Sequence, residues 1–158
     1  MSSDLVKVEE GLRSLRLDRL AEFTKKIEDI SKGFNTMLAP VYLRDFIMAY
    51  DFTNTMYASA MRMYGIAESA QKTAEAIAYF ENAPDYLQGK GVKDSDAARK
   101  RYLPMDPGVQ QADKIKAQAE AMMIFLRNKL QEFRLAHDDV KKIAYANDYS
   151  HNSAHEGM

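Results

Sequence analysis

From residue 103 to residue 143 the chain carries one helical pattern that nothing interrupts after its first turn. It opens Leu103-Pro104-Met105-Asp106-Pro107-Gly108-Val109 and closes Lys141-Lys142-Ile143. Asp106 suits an N-cap, where its carboxylate accepts the orphan N–H groups of the first turn. Pro107 suits N1, where a missing N–H loses nothing and the fixed φ already fits a helix. Beyond it Ala112, Ala119, Leu126, Phe133 and Val140 recur every seventh residue, with Ile115, Met122, Met123, Leu130 and Ile143 beside them. That is a seam of coiled-coil type, and a seam so long needs a partner helix. The spacing predicts packing of helices along it and self-association, with Ala112, Ile115, Ala119, Met122, Leu126, Leu130, Phe133 and Val140 as the oligomer interface.

The rest of the chain points the same way. β-branched residues are sparse while Ala, Met, Lys, Glu and Gln are plentiful, the usage of an all-α protein. With 158 residues, 46% of them hydrophobic, the chain has material for one helical domain over 1–146. The formal charge of −1 excludes a globally basic nucleic-acid binder but leaves room for a local basic patch. There is no cysteine, hence no disulfide framework and no thiolate metal site. No apolar run approaches the roughly 20 residues of a membrane span, and the start lacks the apolar core of a signal peptide. The expectation is a cytoplasmic protein without membrane contact.

Taken in order, residues 1–39 read as a helical extension in two phases. Leu5, Val8, Leu12 and Leu15 share one stripe, and Leu20, Phe23, Ile27, Ile30 and Phe34 another. Asp18 would cap the second helix, which ends near Gly33. A long helix follows over 40–83, with Pro40 in its first turn and an apolar stripe through Phe46, Tyr50, Thr53, Tyr57, Ala60, Tyr64 and Ala67. It ends before Pro84, which breaks a helix interior. Its tyrosines and methionines would offer stacking surfaces for bases, but at helical spacing they read as core.

Residues 84–105 form a connector in which the pattern dissolves. Only a helical turn capped by Ser95 or Asp96 is expected there. Lys90, Lys93, Arg99, Lys100 and Arg101 outnumber Asp94 and Asp96, making this the most basic stretch of the chain. A connector that long is functional or disordered. The assembly helix occupies 106–146, and the polar, aperiodic residues 147–158 read as a disordered tail.

No catalytic constellation is present. His151 and His155 stand four apart, a ligand spacing on a helix, yet they fall in the tail with no carboxylate but Glu156 to complete a site. His137 pads the edge of the seam. Gly89-Lys90-Gly91 is too short for a phosphate loop, and no GxxxxGK[ST] occurs. Neither enzyme, cofactor nor metal is expected.

The run Leu103, Asp106, Val109, Asp113, then Phe125, Leu130, Val140, Lys142 and Ile143, resembles the C-terminal half of the UvsY-like phage recombination-mediator family. Ala70-Gln71-Lys72, the aromatic pair Tyr79-Phe80 and the glycine-containing connector extend the likeness, which covers roughly residues 43–145. The resemblance implies a small, helical, non-enzymatic homo-oligomer, with a ring as one arrangement, assembled through its C-terminal helix in the cytoplasm of a bacterial host. It implies binding of single-stranded DNA and loading of a RecA-like recombinase onto DNA covered by single-strand-binding protein. One departure stands out: Ala74 and Ala76 occupy places where the family carries basic residues that hold DNA, and only Lys72 remains nearby. Either DNA contact is weaker in this chain or it has moved, and then Lys90, Lys93, Arg99, Lys100 and Arg101 are expected to bind DNA beside Lys72, with oligomerisation supplying avidity of roughly 10²–10⁴. The rival expectation is a self-assembling helical structural or adaptor protein that binds no nucleic acid.

Overall fold

The computed structural model describes the backbone of residues 2–155 and the side chains of residues 2–146. Over that span the chain is all-α, with no strand among the described residues. The helices are α1 (Ser3–Arg13), α2 (Leu17–Lys32), α3 (Ala39–Ile77), α4 (Ala83–Gly89), α5 (Asp96–Tyr102) and α6 (Pro107–His155). A π-helical turn, Ala78–Asn82, joins α3 to α4, and short 3₁₀ turns precede α3 and α6. Where one domain is expected over 1–146, the contacts divide the chain into two compact units. The first holds residues 1–15 and 58–124, the second residues 16–57 and 125–158.

In the first unit the core joins Leu5 and Val8 of α1, Ala67 and Ala70 of α3, and Ala112, Ile115 and Ala119 of α6. The alanines let the helices approach closely, and the larger Leu5, Val8 and Ile115 fill the space between them. Gly11 serves the same end. A Cβ at that position would overlap the sulfur of Met63, so the glycine makes room for the end of that flexible side chain against α1. Ser2 caps α1 by accepting the amide of Asp4 at 3.3 Å.

In the second unit Ala39, Tyr42, Phe46 and Val140 form a buried cluster, with Ile27, Ile30, Phe34 and Ala136 packed against it. Phe23 and Phe52 meet with ring centroids 5.6 Å apart, and the Arg19 guanidinium lies 5.4 Å from the Phe52 ring. Thr53 is fully buried without an orphan hydroxyl, because its Oγ1 donates to the Ala49 carbonyl at 2.7 Å. Asp18 does not take the N-cap of α2. Arg16 stands there without a side-chain cap bond, and Asp18 turns back to pair with it at 2.9 Å.

The seam of α6 is real, but its partners lie within the chain itself. Ala112, Ile115, Ala119, Leu126 and Phe133 are fully buried in the single chain and Val140 nearly so, while Met122 and Leu130 are half-buried. The five with no accessible surface are covered by the chain itself, while Met122 and Leu130 keep part of their surface open. The heptad spacing reported a helix that packs along its length, which an intramolecular neighbour satisfies as fully as another protomer.

Two boundaries differ from those the spacing predicts. The connector 84–105 is mostly helical: α4 and α5 lie in it, separated by a turn at residues 90–91 and by residues 92–95, which lack regular structure. At the other end α6 continues through His155, beyond residue 146 where the spacing ends it. The side chains of His151 and His155, and residues 156–158, lie outside the described residues.

Gly91, with φ at +65°, makes the turn out of α4, and its amide donates to Gln88 at 3.0 Å. A side chain is strained in that left-handed region. Gly91→Ala is expected to lower stability by about 1 kcal/mol, read as a shift of the urea midpoint at unchanged slope.

Candidate nucleic-acid interface

In the first unit, the π turn, α4, α5 and the 3₁₀ turn Leu103–Met105 pack on one another. The chain passes Pro84 without breaking because the widened turn precedes it. Pro84 falls in the first turn of α4, where the ladder is changing from π to α spacing and its absent N–H removes no regular bond. Such single π turns within helices frequently mark functional sites. This one carries Tyr79 and Phe80, whose rings meet edge-on with centroids 4.9 Å apart. Phe80 is 69% exposed, the most exposed aromatic ring among the large hydrophobic side chains of the described residues.

Cations surround these rings. The Arg99 guanidinium lies 5.4 Å from the centroid of Tyr79, and the Lys90 ammonium 5.9 Å from that of Tyr86. Tyr86 in turn packs on Tyr102 at 4.8 Å. Ser95 caps α5 by accepting the amide of Ala98, and α5 then presents Arg99, Lys100 and Arg101 in its last turn, where cations suit the helix dipole.

Two of these cations are already paired. Arg99 donates through Nε and Nη2 to the two oxygens of Asp94, at 2.7 and 2.5 Å. Lys100 pairs with Asp96 at 2.8 Å, and the Tyr79 hydroxyl donates to the same carboxylate at 2.6 Å. The hydrogen bond from Arg99 holds the Asp94 carboxyl below its ordinary range, and those from Lys100 and Tyr79 do the same for Asp96. The Tyr79 phenol is pushed up, chiefly because its proton is held by Asp96.

Asp106 ties the cluster to α6. Its Oδ1 accepts the amides of Gly108 at 2.8 Å and Val109 at 3.1 Å, and its Oδ2 accepts from Asn82 at 2.8 Å and from the Tyr102 hydroxyl at 3.0 Å. One buried carboxylate thus caps a helix, holds the last residue of the π turn and holds the end of α5. Burial alone raises its proton affinity. The four hydrogen bonds outweigh that, and its pKa lies below the ordinary carboxylate value.

The expected DNA-binding residues are therefore only partly gathered. Lys90, Arg99, Lys100 and Arg101 belong to α4–α5 and their flanks, and Lys93 lies between them. Lys93 and Arg101 are exposed and form no ion pair among the described residues. Lys72 stands apart on α3, paired at 3.6 Å with Glu68 on its own helix. Ala74 packs against the core of the first unit and lines an apolar cleft with Ala70 and Ile77, so a basic side chain there would lose its hydration. Ala76 is exposed. Phe80 is an open ring that helical spacing does not single out.

Among the described residues no three His, Asp or Glu gather as a metal site, and no helix is long and apolar enough to cross a membrane. The cluster thus presents an exposed aromatic ring, and Lys93 and Arg101 form no ion pair among the described residues. No protein-family model, curated protein or solved structure matches the chain.

Proposed function

We propose that the chain binds single-stranded DNA through the cluster built by the π turn, α4 and α5. Following its resemblance to UvsY-like mediators, it would promote loading of a RecA-like recombinase onto DNA covered by single-strand-binding protein, without catalysing a reaction. The observation that carries the DNA half is Phe80: an open aromatic ring on a π turn, meeting Tyr79, whose own ring lies 5.4 Å from the Arg99 guanidinium. An exposed apolar residue alone is ordinary on any surface. A ring flanked by cations is what sequence-tolerant binding of single strands uses, with bases stacking and phosphates neutralised. A homo-oligomer of this chain would use surface that the single chain leaves open.

Fluorescence anisotropy with a labelled oligothymidylate at two salt concentrations tests this reading. Wild-type protein is expected to bind at low salt and weaken as salt rises. Phe80→Ala should weaken binding by roughly 5- to 150-fold, the range that one lost base–ring stack spans. Lys93→Ala with Arg101→Ala should flatten the salt dependence by about 0.7 for each phosphate no longer neutralised. A folded wild-type protein that binds no single strand at low salt would remove the DNA half. The rival reading, an adaptor that binds no nucleic acid, is favoured by one observation: Arg99 and Lys100 are each neutralised by an aspartate.

A further inference from the structure

We infer that Asp94 and Asp96 are internal competitors for the DNA backbone, holding Arg99 and Lys100 in the free protein and yielding them to phosphates when a single strand binds. This rests on the proposed DNA-binding function and explains the one observation that counts against it.

The Arg99–Asp94 pair has the fork geometry in which two N–H groups of a guanidinium meet two oxygens of an anion. A phosphate presents the same pair of oxygens to the same donors. The two partners differ in how firmly they are held. Arg99 has a side chain only 25% exposed, with its guanidinium against the Tyr79 ring, so it keeps its place when its partner leaves. Asp94 belongs to residues 92–95, the part of this region without regular structure, and its side chain is the more open of the two. That strap is pinned at its start, where the Val92 amide donates to Leu87 at 2.9 Å, and at its end, where Ser95 caps α5. Asp94 lies between the pins, with a glycine at positive φ just before the strap. Lys100 and Asp96 pair one turn apart on α5 with both side chains well exposed, which keeps the pair weak, and Asp96 retains the Tyr79 hydroxyl at 2.6 Å when Lys100 leaves.

The consequence is a face on which Arg99 and Lys100 are screened until a polyanion reaches them, while Lys93 and Arg101 form no ion pair among the described residues. Loosely held carboxylates lower affinity without blocking the site, which suits a protein that must also let go of its strand.

The test compares single-strand affinity, at one salt concentration, of wild type, Asp94→Asn, Arg99→Gln and the double variant. Asp85→Asn, which removes a charge from α4 outside the two pairs, serves as the control. Asp94→Asn is expected to bind about fivefold tighter, the upper end for an exposed pair, and Asp85→Asn within about twofold of wild type. In the Arg99→Gln background the gain from Asp94→Asn should vanish, because the competition has lost its object. Thermal melts establish that each variant is folded. Wild-type binding with no gain in Asp94→Asn overturns the inference and leaves the DNA-binding reading intact. A gain that persists without Arg99 also overturns it, since general charge would then be the cause. Absence of binding by both wild type and Asp94→Asn overturns the DNA-binding reading, and the inference with it.

Discussion

Phe133→Asp is expected to unfold the second unit, and Leu126→Asp to do nearly the same. Both side chains are completely buried within one chain. Truncating a buried Phe or Leu costs about 2–5 kcal/mol, and the new carboxylate has either to be buried unpaired or to open the core to water. The loss is expected to exceed about 4 kcal/mol, out of the roughly 5–15 typical of a whole domain. Far-UV circular dichroism against urea reads it directly, with light scattering on the same samples. The informative contrast is with an oligomer seam. If either variant keeps the wild-type urea midpoint and only falls apart into smaller species, these residues face another protomer and are not buried within one chain.

Asp106→Ala is expected to lower stability by about 3 kcal/mol, most of it from two sources. Loss of an N-cap costs about 1 kcal/mol, and partly buried donors left unpaired at Asn82 and Tyr102 add roughly 1–3 in total. Asp106→Asn separates them. Its carbonyl oxygen still accepts the Gly108 and Val109 amides, while its amide group turns N–H toward two donors, so it should fall between wild type and alanine. The same carboxylate gives the fold an acid limit. Its folded pKa lies below that of the unfolded chain, so the unfolded state binds more protons in the interval between them. The stability it supplies is fully present above the ordinary carboxylate value near pH ~4 and is lost as pH falls through the lower, folded value. Melting temperature should therefore drop more steeply below pH ~4 in wild type than in Asp106→Asn, which has no such proton to take up.

How far the sequence carried is clearest along α6. Its cap at Asp106, its first turn at Pro107 and the burial of every seventh residue from Ala112 to Val140 follow from local chemistry and period alone. What met that buried face did not follow, because a heptad describes one helix and is silent on where its neighbour originates. The connector was misjudged for a related reason. α4 and α5 are single short pieces, too brief to show a period, and Pro84 reads as a stop unless a π turn is known to precede it. At the candidate site the cations were legible as a basic run. Their pairing was not, since Asp94 and Asp96 counted only as a minority charge until the fold set them against Arg99 and Lys100.

The π turn has a last consequence, for how this chain tolerates change. It inserts extra backbone between two helical stretches, and each residue of a helix turns its successor by about 100°. Ala78 at its start and Ala83 and Leu87 beyond it are all buried. A π turn holds one residue more than the α turn it replaces, so the helical stretches on either side keep nearly the same phase. A substitution within residues 78–82 alters one neighbour. A single deletion would close the widened turn to α spacing and set Pro84 in a helix interior, where its ring and missing N–H cost about 3 kcal/mol.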